Sequence, residues 1–64
     1  MIDLYYKFNM FDEYLRKNQA TKRLFNEWCR ENCSHYFIFD ILGKDIRCSF
    51  VNEVDAMGFK LRWL

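Results

Sequence analysis

The apolar positions of this chain change their spacing several times, and each change predicts a structural element. Ile2, Leu4, Tyr6 and Phe8 alternate with Asp3, Tyr5 and Lys7, the pattern of a strand with one buried face. Leu4, Phe8, Phe11 and Leu15 also stand at helical spacing, so a helix beginning near residue 3 competes with that strand. The strand is preferred because Asn9 is a suitable N-cap and Asp12 follows three residues later, resembling a capping box with a shorter acid. A helix is therefore predicted from near Met10. At helical periodicity Met10, Phe11, Tyr14, Leu15, Phe25, Trp28 and Cys29 fall on one side of a single helix running to about Asn32. Arg16, Lys17, Arg23, Glu13, Glu27 and Glu31 occupy the other side, with Glu13 four residues before Lys17. Asn18 and Thr21 interrupt the stripe, which fits either a polar contact or a middle that overhangs the sheet.

HYFIFDIL, then Gly-Lys, then DIRCSF reads as a hairpin with a tight two-residue connection. Phe37, Phe39 and Ile41 share one face of its first strand and Tyr36, Ile38 and Leu42 the other, so that strand is apolar on both sides. One long helix covers one face of a sheet. The second face is then a candidate surface for a partner or for self-association.

The last segment, NEVDAMGFKLRWL, admits two readings. Met57, Phe59, Leu61 and Trp63 alternate as in a strand, whereas Asn52 and Asp55 form a helix cap and Ala56, Phe59 and Trp63 share a helical face, with Gly58 costing about 1 kcal/mol. The string FVNEVDAMGFKLRW, residues 50 to 63, resembles the ending of many short uncharacterised proteins from tailed bacteriophages, over about a fifth of the chain. The resemblance implies a strand passing into a helix, and with it the helix is preferred. It implies a phage setting too, in which so short a chain blocks or redirects a host protein or forms a minor part of the virion. It carries no catalytic or binding residues to transfer. The expected architecture is α+β: one small domain, β-α-β-β-α, with a long amphipathic helix packed on a short antiparallel sheet.

Composition sharpens this picture. A chain of 64 residues makes one domain and buries only about 60% of the surface that it exposes when unfolded. Seven Phe, four Tyr and two Trp offset that shortness, because each buried aromatic removes roughly 150–250 Å² from water. Ten basic against nine acidic residues leave a net charge of +1, too little field to attract a polyanion. The opening residues lack the basic region and apolar run of a signal peptide, and no stretch is long enough to span a membrane. Three cysteines without a secretion signal point to reduced thiols and a cytoplasmic setting, the host's if the chain is phage-encoded.

The sharpest chemical candidate is a zinc set of Cys29, Cys33, His35 and Cys48. Its spacing matches no standard finger or ribbon, and free cysteines are commonly buried as small hydrophobes. Cys29 is therefore assigned to the helix stripe and Cys48 to the inward face of its strand, and no cofactor is expected. Ser34 and Cys33 neighbour the only histidine, but on an extended segment adjacent side chains point to opposite sides, so no catalytic group is expected. Asp40, Asp45, Glu53 and Asp55 fall near turns and helix ends, where acids suit the helix dipole. Tyr36, Phe37 and Phe39 could stack bases, but no Lys/Arg stripe accompanies them, so nucleic acid is not the expected partner. The sequence thus points to a non-enzymatic protein-binding module with Tyr5, Tyr36 and Ile38 as anchors, and the phage resemblance implies a larger host protein as its partner. The alternative is a self-associating structural protein, for instance a homodimer.

Overall fold

The computed structural model describes all 64 residues and has the predicted order. Strand β1 (Ile2–Lys7) leads into helix α1 (Phe11–Asn32), then β2 (Phe37–Leu42), β3 (Asp45–Phe50) and helix α2 (Glu53–Trp63). The sheet order is β1-β3-β2, with β3 antiparallel to both neighbours. β1 and β2 consequently run parallel, α1 crosses over between them, and β3 fills the gap they leave.

Register follows from alternation. Ile2, Leu4 and Tyr6 face Phe50, Cys48 and Ile46 across β1 and β3, and Phe37, Phe39 and Ile41 face the same three residues across β2 and β3. These nine side chains make one apolar face, and both helices pack on it. Turn chemistry supports the register: Gly43 has φ 56 and no other residue has positive φ, the dihedral pattern of a type II′ hairpin with glycine at the first central position.

The core is an aromatic cluster at the junction of the two helices and the sheet. Phe25 of α1 meets Phe59 of α2 edge to face, with ring centroids 4.9 Å apart at 85°. Phe39 and Phe50 reach Phe59 from the sheet at 5.6 and 5.2 Å. Ala56, Phe59 and Trp63 present one side of α2 to this cluster, whereas Met57 and Leu61 are exposed. The alternation of apolar residues in this segment is incidental, and the helical reading holds. Trp63 adds ring area rather than a hydrogen bond. Its buried Nε1 has no acceptor, while the Arg62 guanidinium lies 4.3 Å from its ring centroid.

Two details of α1 depart from the sequence reading. The N-cap is Met10, not Asn9. The chain is still extended at Met10 (φ −134, ψ 146) and no side chain caps the helix, so Asn9 lies one residue too early to reach the free amides of the first turn. Asp12 and Glu13 in that turn supply the favourable charge instead. The part of α1 that outruns the sheet is its N-terminal end rather than its middle. A helix of 22 residues is about 33 Å long against about 20 Å for a six-residue strand, so Phe11 and Leu15 remain exposed while Phe25 and Cys29 are fully buried. Asn18 accepts only the amide of adjacent Gln19. Neither helix is long and apolar enough to cross a membrane.

The uncapped start of α1 and the positive φ of Gly43 predict opposite effects of substitution. Met10→Asp should stabilise the fold by about 0.5–1 kcal/mol, by supplying an acceptor at the cap. Gly43→Ala should destabilise it by about 1–2 kcal/mol, because an L side chain resists positive φ. Urea denaturation of both variants against the parent checks each sign.

Candidate functional site

Because both helices lie on one side, the opposite face of the sheet carries no covering element. Alternation assigns to it Asp3, Tyr5 and Lys7 of β1, Asp45, Arg47 and Ser49 of β3, and Ile38, Asp40 and Leu42 of β2. Tyr36, one residue before β2, continues the same row, and its carbonyl accepts the Val51 amide at 3.2 Å. Tyr5, Tyr36 and Ile38 are 48%, 59% and 39% exposed. The three anchors read from the sequence thus share one open face.

That face is a mixed surface. Arg47 Nη2 donates to Asp40 Oδ2 at 3.0 Å across the middle of the sheet, and this bond raises the arginine pKa further above its ordinary value. Tyr5 stands beside Arg47 on the other side, so the centre of the face is a row of phenol, guanidinium and carboxylate. Ile38, Leu42 and Tyr36 provide apolar area around it. An ion pair this exposed contributes little stability. It does hold the Arg47 and Asp40 side chains in a fixed orientation at the centre of the face.

The zinc candidates are not assembled. Cys29 and Cys48 are fully buried in the core, and the Cys48 thiol donates to the Ile46 carbonyl at 3.6 Å. His35 lies on the exterior, and no three His, Cys, Asp or Glu side chains are grouped to hold a metal ion. Burial raises the pKa of all three thiols. Cys48 is pushed up to about 12 from an ordinary 9.0, chiefly by burial and against a lowering hydrogen bond from the Tyr6 backbone. Cys29 is raised by burial and then by its contact with Cys33, and Cys33 is raised chiefly by burial.

Ser34 and His35 do not point to opposite sides, contrary to the sequence reading. They lie in the bend between α1 and β2, not on an extended strand, and Ser34 Oγ is 3.1 Å from His35 Nδ1. Asp55 Oδ2 approaches the same nitrogen at 3.8 Å. A nucleophile-base-acid relay uses the two ring nitrogens separately, whereas here both contacts converge on Nδ1. The Asp55 carboxylate is engaged elsewhere: it accepts the backbone amides of Ser34 at 3.4 Å and His35 at 3.1 Å. Its own amide donates to Asn52 Oδ1 at 3.1 Å, which is the cap predicted for α2. Asp55 therefore latches the α1–β2 connection to the start of α2. Sequence reading placed this acid at a helix end but missed the latch, because its acceptors' partners lie about twenty residues away.

Comparison of the chain with known protein families, with curated proteins and with solved structures gives no match.

Asp55→Ala removes a charged acceptor from two amides and should cost about 1.5–3 kcal/mol. Urea denaturation measures the loss, and hydrogen exchange should show the Ser34 and His35 amides losing protection first. Burial favours the protonated form of Cys48, so its contribution to stability is complete below the ordinary thiol value of 9.0 and is lost as pH rises towards about 12. Cys48→Ala should lower the urea midpoint at neutral pH and make its decline above pH 9.0 shallower than in the parent.

Proposed function

We propose that this domain is a protein-binding module that presents its helix-free sheet face to a larger partner. The observation that carries the reading is the half-exposed set Tyr5, Tyr36 and Ile38 on one face, beside the Asp40–Arg47 pair. Tyrosines bury large area at little rotamer cost, and an oriented guanidinium adds directional hydrogen bonding, which are features of interface hot spots. Such a module needs no active site. The resemblance of residues 50 to 63 to phage proteins supports a host protein in the bacterial cytoplasm as the partner, with the module acting by occupying one of its surfaces. Near-balanced charge argues against a nucleic-acid partner.

A tagged chain used as bait in bacterial lysates, infected and uninfected, tests the reading when each retained protein is quantified. One host protein held near equal stoichiometry is the expected result. Tyr36→Ala should weaken that interaction by about 30-fold, the effect of a hot-spot truncation of about 2 kcal/mol, while changing stability by less than about 0.5 kcal/mol. Equal retention by the variant would remove Tyr36 from the interface, and retention of virion proteins alone would replace host modulation with a structural role.

A further inference from the structure

The sheet has an unused edge at β1. The Phe8 amide donates to the Lys44 carbonyl at 3.3 Å, in the row that continues the β1–β3 register. Successive residues of a strand turn their backbone groups to opposite sides. The N–H and C=O groups of Asp3, Tyr5 and Lys7 therefore point away from β3, along the free edge. β1 contains no proline, and its pairing with β3 runs without a bulge from Ile2 to Lys7, so two common devices that blunt an edge are missing.

We infer that this edge binds β1 of a second copy of the chain, antiparallel, about a two-fold axis at Tyr5. The register follows from face and charge. Inner side chains stay with inner side chains only if facing residues are both odd-numbered or both even-numbered. With the axis at Tyr5, Asp3 faces Lys7 of the second copy and Lys7 faces its Asp3, while Tyr5 meets Tyr5 and Leu4 meets Tyr6. An axis at Leu4 or Tyr6 sets each charge opposite an uncharged residue, and an axis at Asp3 or Lys7 sets like charges face to face. Within one copy, the close charge pairs are Glu13–Lys17, His35–Asp55 and Asp40–Arg47; Lys7 faces Asp45 across the strands and Asp3 lies within the field of Arg47, but neither closes an ion pair there, so both can pair across the axis.

The flank of α2 fits the same axis. Met57 and Lys60 line a cleft with Ile2 and Leu4 beside the β1 edge, and the apolar surface continues through Leu61, which is 86% exposed, to Leu64. α2 packs over β1 and β3. With strands spaced about 4.8 Å apart, its two-fold image lies about 10 Å away, the distance at which helices pack. Met57 and Leu61 are then covered by their symmetry mates. The β2 edge offers no such match, since its only charge, Asp40, is already paired with Arg47. The resulting six-stranded sheet joins two open faces across Tyr5, and it stands whether or not those faces bind a host protein.

Light scattering after size-exclusion tests the inference on four samples: the parent, Asp3→Lys, Lys7→Asp, and an equimolar mixture of the two variants, each checked for folding by circular dichroism. The parent should give twice the 8.0 kDa chain mass at about 100 µM. Each single variant sets like charges opposite and should weaken dimerisation by about tenfold or more. The mixture restores opposite charges at both positions, so native mass spectrometry should find a heterodimer favoured over either homodimer. A monomeric parent, single variants as dimeric as the parent, or a mixture without preferred heterodimers would each overturn this arrangement.

Discussion

The contact between Phe25 and Phe59 is the constraint on which the rest of this fold depends. The two rings meet edge to face at 4.9 Å, one from each helix, and the sheet supplies Phe39 and Phe50 beneath them. A chain this short has room for one core layer, and aromatic rings fill it with few residues. Placing both helices over that layer concentrates apolar burial where it stabilises most. It also leaves the other side of the sheet bare.

Polar groups then close the joints of this one-sided arrangement. Asp55 is the clearest example, since one carboxylate satisfies the amides of the α1–β2 connection while its backbone is held by Asn52. The latch ties the residues just before β2 to the start of α2, while pairing with β3 sets which β2 residues face outward. Ile38 is placed on the open face by its register with Ser49, and Tyr36 is held in the same row by its carbonyl's bond to the Val51 amide.

The open face and the open edge are separate consequences of the same economy. A second helix layer would bury Tyr5, Ile38 and Leu42, and a fourth strand would satisfy the outward amides of Asp3, Tyr5 and Lys7. The chain supplies neither, so both surfaces stay exposed. The cysteines are the reverse case. They are metal-ligating by residue type but not by spacing, and two of them serve as small apolar pieces of the core.

Local periodicity left the last segment open between strand and helix, but it determined the long helix, the hairpin register and the residues that share a strand face, because each depends on spacing within about ten residues. The Asn52 cap was legible for the same reason. Tertiary structure decided the rest. It placed both helices on one face, moved the α1 cap from Asn9 to Met10, left the N-terminal end of α1 overhanging, folded Ser34 toward His35, and gave Asp55 its distant partners. Each of these turns on how far one element reaches over another, a distance set by packing between residues remote in sequence, and no local pattern encodes it.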